Sequence, residues 1–199
     1  DVKQAIRLEN LSLKNTPQEV LSVATIRVPI LLYHYVEYVK DRGDTIRISL
    51  NTPPYTLDEQ IKTLIKAKYT FMTNSELADA LNNKSKLPSR PILLTFDDGY
   101  DDFYTDVLPI LKKYNVRATA YLITGFLNRQ NHLSDGQVQE VIDSKLVEIG
   151  AHTMHHAWLK EVNPKYANDE ISQSKTGLEK KFHIQVVSFA YPFGAFDKR

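Results

Sequence analysis

The segment HTMHH (152–156) holds three of the chain's six histidines in five positions. His152 lies four residues before His156 and three before His155, and either spacing can bring two imidazoles to one side of a turn or helix. Neutral imidazole is the commonest side-chain ligand for zinc-like ions. Two imidazoles with one carboxylate leave positions open for water and substrate. A solvated histidine loop explains HTMHH alone equally well. Carboxylates appear at TFDDG (95–99), where an apolar run ends abruptly in Asp97 and Asp98. Adjacent carboxylates cannot be buried without partners. Successive strand residues point to opposite faces, so one could serve a cation and the other a proton. Alone, DDG is more often a turn whose aspartates cap the next helix. The two segments together favour a metal site.

Several elements must position these groups. VPILLYHYV (28–36) and the run Pro91–Phe96 read as buried strands, as do ATAYLIT (118–124), LVEIGAH (146–152) and VVSFAYPFG (186–194). Helices are predicted over 56–69, with Thr56 and Glu59 as a capping box, and over 74–83 and 134–145. A helix over 101–115 is expected to be kinked or divided by Pro109. Another over 163–182 should have Asn163 as cap and Pro164 in its first turn. Residues 37–55 read as a long loop and 1–27 as an N-terminal extension or linker with a short helix. Strands alternating with helices imply an α/β fold with a parallel sheet or a barrel. His34, Asp97 and Asp98, His152, and Pro192 with Gly194 each follow a different predicted strand. The C-terminal ends of strands are where α/β barrels build active sites.

At this point the residues resemble a known family. TFDDG (95–99) resembles the first motif of the NodB-homology polysaccharide deacetylases, carbohydrate esterase family four. HTMHH with Leu159 resembles the second motif, and FAYPFG (189–194) is a partial match to the third. The likeness runs from about residue 28 to 194 and looks closest to the branch acting on biofilm poly-N-acetylglucosamine. It implies a distorted (β/α) barrel, with a catalytic domain over 28–199. It also implies a metal-dependent hydrolase that removes N-acetyl groups from an N-acetylglucosamine-containing polysaccharide. By resemblance, Asp98, His152 and His156 would bind one divalent ion, zinc or else cobalt or nickel. Asp97 would be the general base, and the backbone N–H of Phe193 would stabilise the oxyanion. His155 falls on a free position of the motif and is expected to be structural or on the surface.

The chain departs from the family in two places. Ala190 stands where the third motif has an arginine, and Arg90 precedes the strand that carries Asp97. The family's later motifs, including the histidine that acts as general acid, would lie beyond residue 199. His183 is not in that context, so a barrel incomplete at its C-terminal end and with exposed apolar edges is expected. These departures keep two alternatives open: a catalytically impaired metal- and glycan-binding domain, and an O-acetyl xylan-type esterase of the same fold. His34, Trp158, Tyr191, Pro192 and Phe193 are candidates to line the substrate cleft, and Tyr33, Tyr35 and Tyr100 with Tyr191 could form a sugar platform. Thr153 should brace the ligand loop by hydrogen bonding.

Composition narrows the partners. Net charge is +1, so no broad basic field supports nucleic-acid binding. With no cysteine, disulfides, thiolate metal sites and cysteine nucleophiles are excluded. No apolar run approaches the roughly 18 residues of a membrane span. A polymeric substrate implies an extracellular or cell-surface site of action, and a monomer is expected.

Overall fold

The computed structural model describes residues 26–198. The expected short helix and linker in the first 25 residues lie outside them. Five strands form one parallel sheet: β1 (Ile30–Tyr33), β2 (Thr70–Met72), β3 (Pro91–Phe96), β4 (Ala118–Leu122) and β5 (Val147–Ala151). The order is β1-β3-β4-β5, with β2 also paired to β3. Registers such as Tyr33 with Phe96, Phe96 with Ala120, and Leu122 with Ala151 bring the C-terminal ends of four strands to one rim. The fold is thus the α/β, parallel-sheet class that the alternation predicts.

Each strand's alternation sorts its side chains to two faces. One face carries Leu94, Phe96, Ala118, Ala120, Leu122, Ile149 and Ala151, all buried in the main core. Helices α2 (Pro54–Lys66), α4 (Leu108–Tyr114), α5 (Asp135–Asp143) and α6 (Pro164–Phe182) supply Leu57, Ile61, Leu111, Val138, Val141 and Leu178 to the same core. At about 1.5–3 kcal/mol for each large apolar side chain taken out of water, this face drives the folding. The other face is largely polar: Thr95, Thr119, Tyr121, Glu148 and His152 follow one another across the sheet. Helix α3 (Asn74–Leu81) packs there through Ser75, whose N–H and hydroxyl both bond Glu148 at 2.8 and 2.7 Å.

Local chemistry sets the helix ends. Thr73 with Glu76 and Ser134 with Gln137 make reciprocal capping boxes on α3 and α5. Asn163 Oδ1 accepts from Tyr166 N–H and Pro164 starts α6, as expected. Pro109 does divide its helix: a π turn over Phe103–Val107 precedes α4, and Leu108 N–H reaches back to Phe103. Proline has no N–H to extend the regular ladder through this turn.

Four sequence expectations are corrected. Helix α2 begins at Pro54 after Pro53, not at a Thr56 capping box, because proline suits the first turn, where N–H groups are unpaired anyway. Glu59 bonds Lys62 instead. The loop 37–55 contains a short helix, α1 (Thr45–Leu50), capped by Asp44. Strand β2 was not anticipated. The final predicted strand is reduced to a parallel bridge between Phe189 and Ala151, followed by a 3-10 turn over Pro192–Gly194. Among the described residues the sheet is not closed into a full barrel. Ile30 and Leu32 on β1 and Val187 beside the bridge stay more than half exposed. No helix among the described residues is long and apolar enough to cross a membrane.

Candidate metal centre and active site

Strand β3 ends where its backbone turns into the left-handed region, at Asp98 (φ 74°) and Gly99 (φ 73°). Aspartate tolerates that conformation through its short polar side chain. Gly99 is required there for a second reason: a Cβ would lie 2.9 Å from Leu122 Cδ2. The turn breaks the strict alternation of the strand. Asp97 and Asp98 therefore both line one cavity instead of pointing to opposite faces.

The ligand loop is bent in the same way. His152 continues β5, its N–H donating to Leu122 O. Thr153 (φ 65°) and His156 (φ 57°) then take left-handed conformations. For a β-branched residue such as Thr153 this costs about 1–3 kcal/mol and persists only where surrounding contacts enforce it. The result is not a helical turn but a bend that returns His156 to face His152. Asp98 Oδ1 lies 3.3 Å from His152 Nε2 and 3.3 Å from His156 Nε2. The three ligand atoms all fall within 4.8 Å of one another.

This cluster fits a divalent ion. Asp98 Oδ1 is buried and makes no hydrogen bond. Two ligand atoms bound tetrahedrally at about 2.0–2.1 Å lie about 3.3–3.4 Å apart, which matches both spacings. His152 Nδ1 meets Ala190 O at 2.9 Å. Donation to that carbonyl puts the proton on Nδ1 and leaves the Nε2 lone pair for the cluster. Burial alone would raise the Asp98 carboxyl, but the imidazoles of His152 and His156 outweigh it and hold it below the usual range. Burial would lower the His152 imidazole, yet Asp98 and Asp97 raise it. His156 goes down, chiefly through burial.

Asp97 lies beside this cluster with a different environment. Its Oδ1 is buried without a partner. Burial raises its carboxyl above the ordinary value, against the pull of His152 and His34. A carboxylate so desolvated is a stronger base than one in water.

The cavity holding these groups is about 720 Å³. Of the other sequence candidates, His34, Tyr35, Tyr100, Tyr191 and Phe193 line it. Tyr35 stacks on Tyr100 at 4.0 Å between ring centroids. Tyr33 does not join them: it is buried, stacks on Phe96 at 5.0 Å and bonds Gln60, because odd positions of β1 face the helices. Trp158 stands outside the cavity, half-exposed, 5.3 Å from the Phe193 ring, which in turn lies 4.6 Å from His156. Pro192 is buried beneath the turn. Thr153 is buried and its hydroxyl donates to His152 O at 2.5 Å. Arg90 lies at the opposite end of β3, its guanidinium 4.6 Å over the Tyr69 ring. It cannot stand in for the missing arginine, since seven residues of strand span about 23 Å.

One residue of the site carries no sequence motif. Glu170 is buried on α6 and accepts from Met154 N–H, His155 N–H and the His155 ring. Burial would raise its carboxyl, but the His155 bonds and Tyr166 bring it below the usual value. Its place in the spacing Glu170, Ser174, Leu178, Phe182 was the available signal: a carboxylate in an inward stripe needs a partner. Ala190 acts through its backbone: its carbonyl orients His152.

The polysaccharide deacetylase family model matches residues 84–199. YxkH of Bacillus subtilis, named as a polysaccharide deacetylase, is 30% identical over 172 residues, 86% of this chain and 58% of its own length. The poly-beta-1,6-N-acetyl-D-glucosamine N-deacetylase of Staphylococcus aureus (strain MRSA252) is 25% identical over 94% of this chain and 68% of its own. Among solved structures, the Streptococcus pyogenes deacetylase PplD, in complex with acetate, superposes with a TM-score of 0.79 at 30% identity, covering 87% of this chain and 76% of that one. The chain thus spans a little under three fifths of its YxkH relative and about two thirds of the staphylococcal one.

Proposed function

The chain belongs to the polysaccharide deacetylase family, and on that premise we propose that it removes N-acetyl groups from an N-acetylglucosamine-containing polysaccharide outside the cell. One observation carries the reading: a buried, unpartnered carboxylate, Asp97, shares a cavity wall with the Asp98, His152 and His156 cluster. Asp98, His152 and His156 would hold one divalent ion, zinc by the family resemblance, with cobalt or nickel as substitutes. Such an ion, when bound, supplies a Lewis acid for the acetamide carbonyl and lowers the pKa of water.

The chain's own groups do the rest. Asp97 takes a proton as a water oxygen bonds to the acetyl carbon, and the burial that raises its carboxyl makes it a stronger base for that task. The Phe193 backbone N–H is the proposed donor to the oxygen that gains negative charge. The C–N bond then breaks and the sugar nitrogen takes up a proton, giving acetate and a free amine. His34, Tyr35, Tyr100 and Tyr191 would orient the sugar in the cavity. The staphylococcal relative's named substrate supports the polymer class assigned here.

The arginine that would orient Asp97 is absent, with Ala190 in its place and Arg90 at the far end of β3. This observation favours a second reading, a domain that binds metal and glycan without turnover. Acetate release from N-acetylglucosamine oligomers by metal-stripped protein, before and after adding zinc, cobalt or nickel, separates the two. The deacetylase predicts release restored by metal and reduced about 10²–10⁴-fold in Asp97→Asn, a general base's usual contribution. Protein that binds one ion and the oligomer but releases no acetate would replace the first reading with the second.

A further inference from the structure

HTMHH keeps one histidine that the metal cluster does not use. His155 points away from the cluster to Glu170 on α6, its Nδ1 at 2.6 Å from Oε1. The same carboxylate's Oε2 accepts from the Met154 and His155 N–H groups, both at 2.9 Å. On the opposite side of the loop, Thr124 N–H donates to Thr153 O at 3.2 Å and Gly125 N–H to Met154 O at 2.8 Å. The strained stretch between the two ligand histidines is therefore gripped from both sides. His152 has anchors of its own in Leu122 O and Ala190 O. The placement of His156 depends on the backbone that precedes it.

From this we infer that Glu170 is a positioning residue for the metal centre, and that His155 works with it: together they hold the 153–155 backbone in the conformation that brings His156 to Asp98. The inference rests on the metal-site reading above. An ordinary core position would be filled by an apolar residue, as at Leu178 two turns further along the same inward stripe. A carboxylate here accepts two bonds from the loop backbone and one from the His155 ring, besides one from Tyr166 on its own helix, and none of these touches a ligand atom. Gly125 fits the same design, since a Cβ there would sit 2.4 Å from Met154 O and push the loop off its support.

The test reads metal binding, not turnover. Zinc affinity of the full chain is measured by competition with a chromophoric chelator, and the visible absorption of the cobalt-loaded protein reports ligand geometry. Glu170→Gln keeps the size and one acceptor but brings an amide NH₂ against the loop's donors. The affinity loss expected is about 10–100-fold, the usual cost of losing an outer support, with an altered cobalt spectrum. His155→Ala keeps both backbone bonds and should lose less. Ser174→Ala, on the same buried stripe but bonded only within α6, is the control for general destabilisation and should keep wild-type affinity and spectrum. If Glu170→Gln does not fold, His155→Ala carries the test, and wild-type affinity and spectrum in that variant overturn the inference. Glu170→Gln with lowered thermal stability but unchanged zinc affinity and cobalt spectrum overturns it too, leaving Glu170 a packing residue. Failure of the wild-type chain to bind any divalent ion would remove the metal-site reading along with this one, so the two failures are distinguishable.

Discussion

Asp102 is a buried acid that the fold uses for one bond and leaves half unsatisfied. It is 6% exposed; Oδ2 accepts from Val36 N–H at 2.8 Å, while Oδ1 has no partner. Burial first, then the nearby carboxylates of Glu37, Asp101 and Asp106, push its pKa up to about 7, against the pull of the Val36 N–H. In the unfolded chain an aspartate titrates near about 3.9. A folded-state pKa above the unfolded one gives stability that is fully present below about pH 3.9 and lost as pH rises through about 7. Three units at about 1.4 kcal/mol each set an upper bound of about 4 kcal/mol on the loss by pH 8. Asp102→Asn keeps an acceptor for Val36 and cannot ionise, so it removes the penalty without removing the bond. The variant should match the wild type below pH 4 and be about 2–4 kcal/mol more stable at pH 8. That corresponds to a melting point higher by roughly 5–15 °C for a chain of this size. The assay is thermal or urea unfolding of both proteins at intervals from pH 4 to 8, read as the difference between them, because groups common to both cancel. A constant difference across that range, or a variant less stable at pH 8, would refute the argument. Asp102 would then be solvated or paired in a way the buried geometry does not convey.

Two further substitutions test what reaches the site. Gly150→Ala on β5 would put a Cβ 2.4 Å from Tyr121 Cδ1 and 2.8 Å from Ser188 Oγ. Urea unfolding should show a loss of about 1–3 kcal/mol, and deacetylation should fall because Tyr121 lines the cavity with Asp97. Arg90→Ala should leave acetate release within about twofold of wild type and cost no more than the roughly 0.5–1 kcal/mol of an exposed cation–π contact. A large drop in activity would mean that this arginine reaches the site after all.

What the sequence determined was local or periodic. The strand Pro91–Phe96 and the helix behind Asn163 and Pro164 follow from apolar runs and caps that act within four residues. Alternation of strands and helices implied the parallel sheet, and a parallel sheet sends all strand ends to one rim. The candidate ligands were legible because polar residues ending apolar strands are conspicuous. Helix α1 was not legible, since six residues rich in β-branched side chains carry little helical signal of their own. Short β2 is recognisable only once β3 lies beside it.

The tertiary structure decided what depends on partners distant in sequence. Which way Asp98 points was set by the left-handed turn packed against Leu122, not by strand alternation. That Ala190 orients His152 depends on a carbonyl 38 residues away. That His155 serves the loop through Glu170 depends on a helix that begins eight residues after HTMHH. Hydrogen bonds of this kind form between groups that no window of sequence holds together, and main-chain carbonyls carry no residue identity to read. The residues with the right chemistry are therefore written in the sequence, while their orientation is a property of the packed fold.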